Sequence, residues 1–514
     1  MEQNKTPLLT AHIFVTDKYS QQGFDEMLKR LSEGGITVEV YNPRDSLAKI
    51  HPKSPRVYVS LGGRQEDYIS LYTLPLYQRK RWLHYDSATE IQPSHLFYCW
   101  LHATDPLPKG KEINYTGNTL DTPLVSVFTA AYKSRDKILR PYRSLLNQTY
   151  TNWEWIIVDD SGDEDETYKH DLLPLEDKRV RRYRQDSGNG YIGATKRYAA
   201  GLCTGEILVE LDHDDELMPN CLEKIVNAFQ RHPECGFAYG DCTEVYVGSN
   251  NAHWYGWDSG FGYYIYYRVW VHKMSRWQNV YKNTAINGST IRHLVGLPNH
   301  PRAWRRDFYH LIGGHREELL VADDYDMLVR SFLNTRYLAI PDLLYIQYRN
   351  ENGDNSTFHR NWQIQVLVRE LNNYYRQRIG SRLRELDLPE FIPYSRVWQR
   401  SIDDPGRKTS HIIDEDPYKV SIIFPMPHSC PMTKHEKLLE TLNKGIRTNF
   451  KDLEVVVVGR VPPEVEEFAS KAPMGAIRWW PMELDDSLET CTQYAMYIAS
   501  CKEKIVVPPE NTQA

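Results

Sequence analysis

The 514-residue sequence has no Cys-x-x-Cys pair among its eight cysteines. That excludes zinc ribbons and thioredoxin-type redox motifs, and the spacing predicts no metal cluster. We read the cysteines as reduced thiols of a reducing, cytoplasmic compartment. Basic charge is not in excess: 62 Lys and Arg stand against 68 Asp and Glu, for a net charge of −6. A nucleic-acid partner would call for a basic excess or patch, so none is expected. No apolar run approaches the ~20 residues that a membrane-spanning helix needs. Residues 1–10 lack the charged-then-apolar layout of a signal peptide. Any membrane contact is therefore expected to be peripheral. Phenylalanine is scarce, at 14 residues against 35 Tyr and 13 Trp. Rings that join an apolar face to a polar edge suit sugars, and they equally suit packing between domains.

What is present reads as α/β. Strand-like runs at 12–16, 36–41 and 57–61 alternate with a helical run at 24–31, punctuated by Gly34-Gly35 and Gly62-Gly63. Strand–helix–strand order with glycine stops predicts a small parallel sheet within residues 1–120, followed by a linker. The central block repeats the pattern: strands at 124–129, 153–158, 180–184 and 207–211, helices at 138–147, 194–202 and 217–229. Its acids gather where strands end, and ligands of wound α/β sheets bind outside the carboxyl ends of strands.

Asp212-His213-Asp214-Asp215 follows the fourth strand directly. In extended backbone, residues i and i+2 share a face, so Asp212 and Asp214 can converge, and Asp215 can turn back to them. Carboxylates focused on one point call for a cation, and hard oxygen ligands suit Mg2+ or Mn2+. Asp159 and Asp160 follow the second strand and are candidates for a base or ribose contact, or for an Asx turn. Lys196 and Arg197 open a helix and can reach toward a diphosphate or lie on a solvated face. Asp323, Asp324 and Asp326 begin an apolar-periodic helix, where acids also favour the helix dipole. Asp324, ionised at neutral pH with an ordinary carboxyl pKa of ~4, is the candidate general base for an acceptor hydroxyl.

In this order, "VSVFTAAYKS", "IIVDDSG", "GATKRYAAGLCTGEILVELDHDD", "HPRAWRRDFYHLIGGHREE" and "VADDYDMLVR" resemble the family 2 glycosyltransferases. The resemblance spans about residues 122–360. It implies a GT-A nucleotide-diphospho-sugar transferase fold and an inverting transfer from a UDP- or dTDP-sugar to a glycan or lipid-linked oligosaccharide. It implies donor contacts from Thr129, Ala131, Asp159, Asp160, Lys196, Asp212, His213 and Arg305. Asp212, Asp214 and Asp215 become the metal set and Asp324 the base. The chain departs from the family in having Asp323-Asp324 where Glu-Asp is usual.

The expected organisation is an accessory α/β unit over 1–120, the GT-A domain over 121–365, a helical segment and linker over 366–417, and a last unit over 418–514. That last unit reads "VSIIFPMPHS" and "LEVVVVG" in the order of the central block, with Gly459-Arg460 replacing Asp159-Asp160 and Pro508-Pro509-Glu510 replacing the acid run. It reads as a degenerate, truncated GT-A-like copy without its acids. Aromatic residues crowd 254–277, among them Trp254, Trp257, Tyr263, Tyr264, Trp270 and Trp277. They are expected to stack on sugar or to pack on the N-terminal unit. Two other functions are weighed. A processive polysaccharide synthase would carry transmembrane helices and a Gln-x-x-Arg-Trp motif, but Lys273 stands where that Gln would be. A non-catalytic glycan-binding scaffold would not need the intact acids.

Overall fold

The alternation of apolar runs with amphipathic segments builds two sheets. The computed structural model describes residues 7–16, 21–45, 55–107, 115–162, 177–185, 190–249, 251–255, 265–282, 286–349, 356–390, 411–413, 418–428, 430, 432–483 and 486–507. The first sheet has four parallel strands, β1 (Leu9–Val15), β2 (Ile36–Tyr41), β3 (Arg56–Leu61) and β4 (Trp82–Tyr85), in the order β2-β1-β3-β4. β1 is buried along its whole length, as a central parallel strand covered on both faces should be. Helix Gln21–Glu33 makes the crossover to β2, and its buried Phe24, Met27 and Leu31 form one apolar stripe. The turn after β3 runs through Gly62 and Gly63 at φ 75° and 64°, a region that glycine enters without a Cβ penalty.

The second sheet has 15 strands. One end of it is β5 (Val125–Ala131), β6 (Trp153–Asp159), β7 (Val180–Arg184) and β8 (Ile207–Glu210), parallel in the order β8-β5-β6-β7. β9 (Glu216–Leu217), β10 (Phe237–Tyr246), β11 (Ile265–Val271), β12 (Arg276–Lys282), β13 (Arg302–Arg305) and β14 (Tyr337–Arg349) continue it. β13 runs antiparallel between β8 and β10, and β14 pairs with β10, with β9 and with β15 (His411–Ile413). Helix Cys221–Arg231 lays Leu222, Ile225, Val226 and Phe229 on the core. Each such burial contributes about 1.5–3 kcal/mol. The helical segment expected from residue 366 onward belongs to a longer helix, Ser356–Glu385, kinked at Arg360.

The last strands are β16 (Val420–Met426), β17 (Leu453–Gly459), β18 (Ile477–Trp480) and β19 (Glu503–Val506). Their order, β19-β16-β17-β18, matches β8-β5-β6-β7. The match reaches side chains. Ser126 faces Glu154 across β5 and β6, and Ser421 faces Glu454 across β16 and β17. Both serine hydroxyls donate to their glutamates at 2.5 Å. Both glutamates take a salt bridge from the next strand, Arg181 at 2.5 Å and Arg478 at 2.6 Å. Both also accept a backbone N–H, from Thr204 and from Ser500. Pro508-Pro509-Glu510 lies outside the described residues.

The aromatic stretch packs on this last group of strands rather than on the N-terminal unit. Trp277 meets Trp479 edge-on at 5.6 Å, Tyr266 stacks on Trp480 at 5.9 Å, and Trp254 also reaches Trp480. The reason is topological: β11, which carries Tyr266, pairs with β18 on one side and on the other with β12, which carries Trp277. Trp257, Tyr263 and Tyr264 lie outside the described residues.

The N-terminal unit is fastened to the segment before Asp323. Arg81 holds Glu318 with two hydrogen bonds, 2.9 and 2.6 Å, and the indole of Trp100 donates to the same carboxylate at 2.8 Å. Arg316 donates in return to Leu101 O and Thr104 Oγ1, both at 2.9 Å.

Candidate active site

A cleft of about 480 Å³ opens where β8 ends, lined by Asp212, His213, Asp214 and Asp215 from the turn and by Asp323 and Asp324 from the facing helix, Asp323–Asn334. The sequence therefore brings its acid run and its candidate base to one place. Tyr345 on β14 shapes the turn: its hydroxyl accepts the Asp212 N–H at 3.1 Å and donates to Asp215 Oδ2 at 2.9 Å. Asp215 Oδ1 accepts from the backbone N–H of Tyr348 at 2.8 Å. Asp215 was expected to hold metal, but it is 2% exposed and both its oxygens are engaged. Burial, with Asp214 and Asp212 adding, pushes its carboxyl well above the ordinary range. It anchors the turn to β14, leaving Asp212 and Asp214 to face the cleft.

Asp324 sits in a first helical turn, its side chain 27% exposed. Its Oδ1 accepts the Tyr325 N–H at 2.8 Å, and Oδ2 lies 3.5 Å from Arg302 Nη2. Burial would raise its pKa, but Arg302 and then Lys196 outweigh it and hold the carboxyl below its ordinary range. It is thus an ionised acceptor of protons at neutral pH.

Lys196 serves differently from the expectation. Its Nζ lies 2.7 Å from Glu210 and 3.3 Å from Asp323, all three side chains being buried. A charge so enclosed is stable only with partners, and here it neutralises two carboxylates rather than reaching out for a diphosphate. Burial alone would raise Glu210, but Lys196, with His300 and Arg302, brings it well below its usual range. Asp323, whose burial outweighs Lys196, stands raised to about 6. Arg197 turns away, donating to Gly313 O at 2.6 Å.

Arg305 is a correction. β13 pairs antiparallel with β8, so Arg302 faces Glu210 at the cleft end and Arg305 faces Ile207 at the other. Three residues of strand separate them by ~10 Å. Arg305 is buried and donates to the carbonyls of Cys235, Asn118 and Phe229. Arg302, which sequence reading passed over, does line the cleft. Glu210, His300 and Tyr345 were also missed. Glu210 had a signal: it lies two residues before Asp212 in a buried strand, hence on the same face.

The remaining predicted donor contacts stand at the carboxyl tips of β5 and β6, beside the cleft rather than on its lining. The Thr129 hydroxyl is used inside the sheet, donating to Leu211 O at 2.7 Å and accepting from the Trp155 indole at 2.9 Å. Ala131 O accepts the Asp160 N–H at 2.9 Å. Asp159 Oδ1 accepts from the Ser161 N–H at 3.0 Å and from its hydroxyl, an Asx turn. Asp160 Oδ2 accepts the Gly190 N–H at 3.1 Å. These bonds order the two tips.

Residues 126–309 match the family model described as Glycosyl transferase family 2. This stretch is a family 2 glycosyltransferase domain. The family 2 domain carries the acid run and Arg302, while Asp324 follows just beyond the matched residues. The UDP-Glc:alpha-D-GlcNAc-diphosphoundecaprenol beta-1,3-glucosyltransferase WfgD of Escherichia coli is 29% identical over 122 residues, 24% of this chain and 47% of that protein. Chondroitin synthase of Pasteurella multocida (strain Pm70) is 25% identical over 368 residues, 68% of this chain and 34% of that protein. A crystal structure of S. aureus TarS 1-349 in complex with UDP-GlcNAc aligns at TM-score 0.35 and 18% identity, over 50% of this chain and 71% of that one. The chain spans less than half the length of the first curated relatives it matches. No helix among the described residues is long and apolar enough to cross a membrane.

Proposed function

We propose that this chain is an inverting glycosyltransferase that moves a hexosyl or deoxyhexosyl group from a nucleotide-diphosphate donor to a hydroxyl of a glycan or lipid-linked acceptor. One observation carries the reading: Asp212 and Asp214 at the tip of β8 and Asp324 at a helix start share a single cleft, with Asp324 held ionised. WfgD, whose name gives a UDP-sugar donor and a lipid-diphosphate acceptor, supports a UDP-linked donor over a dTDP-linked one.

The acceptor hydroxyl is placed at Asp324, which takes its proton as the oxygen bonds to the anomeric carbon. The bond from that carbon to the diphosphate oxygen breaks on the opposite face, so the configuration inverts. Arg302 keeps the base ionised before the proton arrives. Asp212 and Asp214 line the cleft as oxygen donors, a set that fits Mn2+ or Mg2+. When bound, such an ion supplies positive charge that stabilises the leaving diphosphate.

Residues 418–514 we read as a degenerate, truncated GT-A-like copy, supported by the shared strand order and the repeated Ser–Glu–Arg clamp. It is assigned no catalysis. All eight cysteines are free thiols, in keeping with a reducing compartment.

The test is release of nucleoside diphosphate from a panel of nucleotide sugars with Mn2+ present. One donor should turn over, and Asp324→Asn should bind that donor without turnover. Wild-type turnover by Asp324→Asn would remove the base assignment, and no release or nucleotide binding with any donor would favour a glycan-binding scaffold.

A further inference from the structure

Beside the acid run stands an imidazole for which the proposed reaction has no use. His300, in the segment leading into β13, has a side chain 9% exposed. Among the described residues, neither of its ring nitrogens has a hydrogen-bond partner. A buried polar group left so costs about 1–3 kcal/mol, and such groups are rare in folded proteins. Its surroundings are not apolar. Nε2 lies 3.7 Å from Glu210 Oε1 and 3.9 Å from Asp212 Oδ2, and ligand atoms of all three residues fall within 4.8 Å of one another.

These separations are too long for hydrogen bonds. They suit two donors of one ion: atoms each ~2.1 Å from a metal lie at most ~4.2 Å apart. Glu210 is already neutralised by Lys196 at 2.7 Å, and an ammonium there opposes a second cation on the same carboxylate. Asp212 and His300 remain as the pair able to share an ion at the cleft. One residue orients both. The ring of Tyr345 stacks beneath His300, with centroids 4.9 Å apart and planes at 22°, and its hydroxyl fixes the backbone of Asp212. A shared outer partner that sets two ligands in place is the usual support of a metal site.

We propose that His300 is a ligand of the divalent cation, together with Asp212, and that its imidazole makes the site prefer a transition-metal ion such as Mn2+ to Mg2+. Mg2+ favours an all-oxygen shell, whereas imidazole nitrogen binds later divalent ions more readily. The inference rests on the metal-assisted reading above and assigns the nitrogen donor within it.

The test uses the full chain, without donor or acceptor. Pulsed EPR of bound Mn2+ should show coupling to an imidazole nitrogen, absent in His300→Ala. Calorimetric titration should show His300→Ala losing Mn2+ affinity by at least ~10-fold, with a smaller loss for Mg2+. His300→Gln, which offers an oxygen, should regain Mg2+ binding more than Mn2+ binding. Asp212→Asn separates the two levels of the argument. If Asp212→Asn loses Mn2+ while His300→Ala keeps it, or wild-type Mn2+ shows no nitrogen coupling, the ligand assignment is wrong and the metal-assisted reading stands. If wild type takes up no Mn2+ with or without nucleoside diphosphate, both fall. Should His300→Ala fail to fold by circular dichroism, the wild-type nitrogen coupling decides alone.

Discussion

Arg302 Nη2 stands 3.5 Å from Asp324 Oδ2, joining the strand that lies beside the acid run to the helix that carries the candidate base. The arginine is fully enclosed, so the carboxylate feels its charge with little screening by water. Among the causes that lower the Asp324 pKa, this charge comes first. The consequence is a base that stays ready as the solution becomes acidic.

The sign of the pH effect follows. Asp324 is held below its ordinary value, chiefly by Arg302, so the acidic limb of kcat/KM should lie below the ordinary carboxylate range. Arg302→Gln removes the leading cause and should move that limb to higher pH. A kcat/KM profile on both proteins checks it, and an unmoved limb would detach Arg302 from the base.

Asp324→Asn should reduce turnover by ~10²–10⁴, the usual contribution of a general base. Donor affinity should change little, since the amide keeps the shape of the side chain. Steady-state turnover beside a donor titration separates the two effects.

Lys196→Met should destabilise the fold by about 3–5 kcal/mol, because it strands Glu210 and Asp323 as buried carboxylates. Adding Glu210→Gln should recover part of that loss, since one stranded charge is then gone. Chemical denaturation of the two single variants and the double variant measures the coupling.

Tyr345→Phe removes the hydroxyl that bridges the Asp212 N–H and Asp215. Leaving those groups unpaired should cost about 1–3 kcal/mol and loosen the acid turn. Thermal melting reads the first effect. A weaker Mn2+-induced stabilisation reads the second.

Much of this was visible in the residues. A buried apolar run ending in Asp212-His213-Asp214-Asp215 states its own position at a strand tip, and Asp324 announces a helix start. The parts that escaped depend on register between strands distant in sequence. Nothing local tells that β13 runs antiparallel to β8, yet that pairing puts Arg302 in the cleft and Arg305 out of it. Lys196 was assigned to a phosphate because its two buried partners come from 14 and 127 positions away in the chain. The aromatic crowding at 254–277 was recognised as packing or binding, but its partner, β18, lies some 200 residues later. Asp215 looked like a ligand because its neighbours do, and only the hydroxyl of Tyr345 shows its other use.

The fastening of Glu318 to Arg81 and Trp100, and of Arg316 to Leu101 and Thr104, bears on how the protein can be divided. A fragment cut just ahead of the family 2 domain would keep every acid of the cleft. It would also strip the loop ahead of Asp324 of the contacts that hold its arginine and glutamate in place. The base would then be aimed by a segment that has lost part of its anchoring, with Arg316 left to Tyr375 and Asp326, so the accessory unit belongs to the machine tool's frame rather than to its packaging.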